Sequence, residues 1–223
     1  MKHIVFIVAG MIVALFVAAP VFAQSSGNFA ADFDRTACVM DNSTGTLSGG
    51  IPVPLVGWTV QIKVPNSNGT ALVIRPDYVT GLFTKTKVDT TTTTATSVAG
   101  VEVCVKIDQG TLNGIVGPNA QQCVWYDKRF QQLSASFFSQ IAGCVSDPTS
   151  CNLELILSTL SAHSFDFVAS DIPGGLRTVE VTVNFHDSDG TGGNAAACIG
   201  PGVVTITQTK VFSQSSGIID LTP

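Results

Sequence analysis

The sequence predicts a mainly β protein, an antiparallel β-sandwich interrupted by a short two-helix insertion over about residues 129–162. Three observations carry this. Apolar and polar residues alternate along several segments, which puts the apolar ones on one face of a strand. The polar residues are mostly Ser, Thr, Asn and Gln, and only 12% of the chain is charged, a composition suited to strands that favour threonine. Six cysteines, an even number, point to disulfides in an oxidising compartment.

The first 23 residues read as a secretory signal peptide. Lys2 and His3 precede an apolar run from Ile4 to Val17, and small residues at Val21 and Ala23 place cleavage before Gln24. Pro20 breaks the run, which argues against a continuing membrane anchor. The expected product is secreted, periplasmic or in the cell envelope, with no stable membrane insertion after cleavage. Without Lys2 it carries 10 basic residues against 16 acids, a formal charge of −6, which argues against a nucleic-acid partner.

Residues 24–50 are rich in Ser, Gly, Asn, Asp and Thr and read as a flexible N-terminal segment tethered at Cys38. The sandwich domain is expected over 51–223. Trp58, Val60, Ile62 and Val64 alternate with Thr59, Gln61 and Lys63, and Asn66-Ser67-Asn68-Gly69 ends that strand. Further strands are expected near Ala71–Arg75 and Leu82–Val88. The threonine run Thr90–Thr94 after Asp89 reads as a solvated loop or strand, or a carrier of O-linked sugars. Val101, Val103, Val105 and Ile107 alternate with Glu102, Cys104 and Lys106, so Cys104 faces the polar side. Phe130, Leu133, Phe137 and Ile141 recur at helical spacing, as do Leu153, Ile156, Leu157 and Leu160, and these give the two helices. The clearest strand is Thr178–His186, and a last one runs from Val203 to Phe212.

Six cysteines permit about 15 connectivities, among which the sequence does not choose; local geometry favours Cys144 with Cys151 across a turn-rich segment and Cys104 with Cys123 across two successive strands. Cys38 is left with Cys198, a long closure that would tie the N-terminal segment to the end of the fold.

The stretch Ser164 to Val181, with Ile172-Pro173-Gly174-Gly175 between two apolar runs, resembles the strand, Pro/Gly corner, strand unit of immunoglobulin-like and fibronectin-like sandwiches. It lacks the tyrosine many of those domains place there. The resemblance implies an immunoglobulin-like sandwich and no activity; a jelly-roll-like sandwich is the other arrangement the predicted fold class allows. The mature chain is also similar to uncharacterised secreted bacterial proteins, which implies no activity either.

Asp187, Asp189 and Asn194 lie in a glycine-rich stretch whose oxygens suit calcium, the one cofactor the sequence raises. Thr191 and Cys198 depart from the EF-hand pattern at its fifth and twelfth positions, and a polar turn uses the same residue types. His163 and His186 sit in no nucleophile motif, and Asp127, Glu154, Asp166 and Glu180 form no readable carboxylate pair. Trp125 is the candidate ligand-binding residue: its register turns it outward beside Cys123, while Val124 and Tyr126 point inward. Cover by the helical hairpin is the structural alternative. The expected function is extracellular or cell-surface assembly or binding without catalysis. A cell-surface or extracellular protein or glycan, or a further copy of the chain, is the partner. A glycan-binding module is the alternative, and a secreted hydrolase the third reading.

Overall fold

The computed structural model describes residues 28–35, 37–49, 56–66, 70–108, 122–140, 143–144, 147, 151–170 and 172–210. The expected signal peptide and its Ala23–Gln24 junction lie outside these residues. Within them the chain forms β1 (Phe29–Asp34), β2 (Cys38–Met40), β3 (Leu47–Gly49), β4 (Val56–Val64), β5 (Thr70–Asp89) and β6 (Thr94–Ile107). There follow β7 (Cys123–Ser134), β8 (Asn152–Ser164), β9 (Phe167–Ala169), β10 (Gly175–Asp189) and β11 (Gly193–Lys210).

Two antiparallel sheets result. One has the order β1-β11-β5-β8, with β9 also on β5, and the other β4-β10-β6-β7; β2 and β3 form a separate ribbon. Apart from the ribbon and β9, the strands pair from the outside in: β1 with β11, β4 with β10, β5 with β8, and β6 with β7. The inward rows of both sheets share one apolar core. Trp58, Val60 and Ile62 of β4, Val101, Val103 and Val105 of β6, and Val179, Val181 and Val183 of β10 meet Leu72, Ile74, Val204 and Ile206. Burying each such side chain contributes about 1.5–3 kcal/mol.

The two expected strands near Ala71 and Leu82 are one 20-residue strand. Pro76 does not interrupt it, because the strand on that side is itself interrupted. β8 pairs up to Asp77 and β9 resumes at Ile74, so the residue without an N–H falls opposite the break. Asp89 then turns the chain: its Oδ1 accepts from the Thr91 and Thr92 amides at 2.8 and 2.7 Å, so the start of the threonine run is the β5–β6 turn.

Among the described residues the two-helix insertion is not seen. β7 pairs with β6 through Ser134, followed by a 3-10 turn over Ala135–Gln140, and β8 pairs with β5 along 13 positions. Two physical causes misled the pattern. Gln131 is 4% exposed on the inward row, where an apolar residue would mark a strand. It hydrogen-bonds across the layers instead: it accepts from Thr84 Oγ1 at 2.6 Å and donates to Thr86 Oγ1 at 2.5 Å and the Leu155 carbonyl at 2.9 Å. On β8, Leu155 and Leu157 lie on one face and Ile156 and Leu160 on the other, and an apolar run on both faces has no period of two to read. Arg129 Nη1 donates to the Leu157 carbonyl at 2.8 Å, so β7 side chains occupy part of the free edge of β8. Of the residues that suggested the first helix, Ile141 lies outside the described set.

The described part of residues 24–50 is not a loose lead-in. β1 pairs with β11 from Phe29↔Thr207 to Asp34↔Gly202, and the β2–β3 ribbon lies on the outer face of the five-stranded sheet. Disulfides join Cys38 to Cys198, Cys104 to Cys123 and Cys144 to Cys151. Gly81 makes the ribbon's seat, since a Cβ there would stand 2.5 Å from Cys38 Sγ and 2.8 Å from Cys198 Sγ.

Asp41 caps the ribbon's turn. Its carboxylate accepts from Ser43 Oγ at 2.6 Å, the Ser43 amide at 2.8 Å and Thr44 Oγ1 at 2.9 Å. Those donors, Ser43 foremost, hold its pKa down from 3.8 to about 2. The turn's stabilisation is therefore complete above the ordinary carboxyl range and is lost as pH falls through about 2. An NMR titration of the Asp41 carboxyl should show that low midpoint, with the Ser43 amide moving in step. A midpoint at the ordinary value would remove the cap.

Candidate functional site

The outward row of the four-stranded sheet is polar along β4, β10 and β6, and turns aromatic at β7. β10 alternates Val179, Val181 and Val183 inward with Thr182, Asn184 and His186 outward. β6 sends Glu102 and Cys104 outward, and β7 sends Cys123 and Trp125, with Cys104↔Cys123 and Glu102↔Trp125 as register pairs. A bulge between Val101 and Glu102 resets the register, so Lys128 lies opposite Gly100 and shares the face with Trp125.

Trp125 is 40% exposed and supported on several sides. Its ring lies against Gly100, where a Cβ would meet Cζ3 at 2.7 Å, so glycine makes the room that lets the indole lie on the sheet. The His186 ring is 4.5 Å away, centroid to centroid, at 52°, and Lys128 Nζ stands 4.4 Å from the indole centroid. Beside it, Asn184 Nδ2 donates to Glu102 Oε2 at 3.2 Å, and His186 Nε2 lies 3.4 Å from the same oxygen. The Cys104–Cys123 bridge continues the surface along β6 and β7, with Cys104 Sγ 3.4 Å from Asn184 Nδ2. Glu102, Cys104 and Cys123 lie close enough to suggest a metal site, but both sulfurs are committed to the disulfide and only one carboxylate is left to bind.

The other sequence candidates lie on several strands. Asp187 and Asp189 belong to β10, opposite Ala99 and Ser97, whereas Asn194 is on β11 opposite Lys85, so the three are divided between the sheets. The turn between them is Gly190 to Gly193, closed by the Gly193 amide donating to the Gly190 carbonyl at 2.8 Å.

Of the four carboxylates, Asp166 is held bidentately by Arg75 (2.5 and 2.6 Å), which lowers its pKa, and Glu154 pairs with Lys85 at 3.0 Å. Glu154 and Glu180 stand on the outer faces of opposite sheets. Asp127 lies 3.8 Å from His163 Nε2, and Ser161 Oγ is 2.7 Å from that same nitrogen. A nucleophilic triad needs the serine on one ring nitrogen and the carboxylate on the other. Here both meet Nε2, which leaves no relay through the ring.

Burial raises the pKa of Tyr126, whose hydroxyl donates to the Pro76 carbonyl at 2.6 Å, and raises that of Tyr78, which lies 4.6 Å from Trp58 in the core. Neither is poised as an acid or base near neutrality. What sequence reasoning missed is the support of Trp125: Gly100, Glu102, Asn184 and His186 come from neighbouring strands, and only the register brings them together.

No protein-family model matches the chain, and no curated protein matches it. Among solved structures, a CocE/NonD family hydrolase from Staphylococcus aureus aligns at 11% identity over 82% of this chain and 35% of that one, with a TM-score of 0.15. The chain thus spans 35% of the hydrolase's length. The C-terminal CBM6 of LamC, a marine laminarinase from Zobellia galactanivorans, aligns at 11% identity over 69% of this chain and 90% of that one, with a TM-score of 0.11. Likenesses at these scores carry no argument about fold or activity. The described residues define a class on their own terms: a disulfide-bonded antiparallel β protein, fitted to an oxidising setting, in which no helix is long and apolar enough to cross a membrane.

Proposed function

We propose that the protein is a secreted, non-catalytic binding module, that its fold is a jelly roll, and that the outer face of the four-stranded sheet is its ligand platform for a saccharide. The outside-in pairing of eight strands supports the jelly roll over the immunoglobulin-like arrangement. One observation carries the function: an indole held open to solvent over Gly100, beside a glutamate and an asparagine whose hydrogen-bonding atoms lie on the same surface. Flat rings take the apolar faces of sugars, and adjacent amide and carboxylate groups take their hydroxyls.

Trp125→Ala is expected to weaken glycan binding at least about tenfold while leaving the thermal midpoint near its starting value, since an exposed ring contributes more to a ligand than to the core. Glycan-array screening followed by calorimetry checks this. Unchanged affinity in the variant would remove the platform. A second reading, assembly from copies of the chain, is favoured by Phe29 and Phe33, 66% and 62% exposed on the edge strand β1. Light scattering separates the two, since a module that binds glycans as a monomer shows a single-chain mass and an assembly subunit a multiple of it.

A further inference from the structure

Resting on that reading of the platform, we infer that its ligand is an acidic saccharide, a chain built of uronic acid residues whose carboxylates are read by Lys128 and Lys106. The whole protein is acidic, with a formal charge of −5. The platform inverts this balance: among the described residues, the outward positions of the four strands carry Lys63, Lys106, Lys128 and His186 against Glu102 and Glu180. Of the two acids, Glu102 is already engaged. Glu102 accepts from Asn184 and lies beside His186, and Glu180 is the register partner of Lys106.

Lys128 is decisive. Its ammonium sits 4.4 Å from the centroid of the indole on which a sugar would have to stack. A neutral sugar must push the ammonium aside and forfeit the cation–π attraction without compensation. A uronic acid ring gives the ammonium a better partner: the charge moves from the ring face to the ligand carboxylate, and the sugar's apolar face takes the exposed indole. The same residue therefore penalises neutral sugars and rewards acidic ones, the double device by which sites discriminate. Lys106 lies six positions along β6 from Gly100, the register partner of Lys128, roughly 20 Å away at the strand rise. A ligand reaching both lysines runs along β6 and β7 across the Cys104–Cys123 bridge and spans several sugar residues, so the inference is for an oligomer and not for a single sugar.

The test is calorimetry of the full mature protein with oligogalacturonate, oligomannuronate and oligoglucuronate, each beside its fully methyl-esterified form. At least one free acid should bind, its ester should bind about tenfold more weakly or not at all, and added salt should weaken the acid alone. Lys128→Gln should cost about tenfold for the acid and strengthen any residual binding of the ester, which no longer has to displace an ammonium from the indole, while Trp125→Ala weakens both. Equal affinity for acid and ester overturns the acidic specificity and leaves the sugar platform standing. Binding confined to neutral glycans does the same. Failure of every acid, with no glycan lost on Trp125→Ala, brings down the platform reading as well.

Discussion

Replacing Cys38 and Cys198 together by alanine should cost about 4–5 kcal/mol of folding stability, the largest single effect expected in the molecule. The bridge closes a sequence separation of 160, and a loop that long removes much of the unfolded chain's freedom. The folded state loses something too, since the bridge is the covalent hold of the β2–β3 ribbon on the sheet, over Gly81. Urea denaturation of the double variant beside the parent measures the change. Hydrogen exchange should show the Asp41–Thr46 turn opening before the sheets. An unchanged midpoint would mean that the ribbon and β1 are held fully by their non-covalent contacts.

Phe167→Ala should come next, at about 3–5 kcal/mol. Phe167 is fully buried on β9, with its ring 5.2 Å from that of Phe165 at 72°, an edge-to-face pair. The position is vulnerable because β9 is only three residues long and has little else to anchor it to β5. Truncation leaves a cavity and also loosens the strand that carries it. Phe167→Leu, which refills most of the volume, should cost less than half as much in the same denaturation experiment. Equal losses would show that aromatic geometry, and not volume, holds β9 in place.

The strands that were legible in the sequence are those with one face in the core and one in water. Val101, Val103 and Val105 on β6 and Val179, Val181 and Val183 on β10 alternate cleanly because the pleat assigns them opposite surroundings. β8 and the part of β7 beyond Tyr126 were illegible for the reasons Gln131 and the two-faced leucines supply: a polar residue satisfied across the layers, and an edge strand apolar on both sides. β1 was read as loose because Ala30, Asp32 and Asp34 occupy its partly buried row, and none of them marks a core position. Trp125 could be placed outward from the alternation around it. Its support could not be found that way, since Gly100 and His186 acquire their meaning only when β6 stands between β7 and β10. The expected cover was a helical hairpin; in the structure the indole meets a lysine and a histidine.

The outside-in pairing of the strands also sets a calendar for folding. β6 and β7 are neighbours in the chain and can meet at once, whereas β1 must wait for β11, nearly the whole length of the chain later. Closing a short loop sacrifices less freedom than closing a long one, so the hairpin at the centre of the nest is the natural seed, and each later pair wraps around those already formed. The bridges follow the same order. Cys104 can find Cys123 in that first hairpin, while Cys38 meets Cys198 only when the outermost wrap is laid, which makes the ribbon's bridge the clasp that marks a finished molecule.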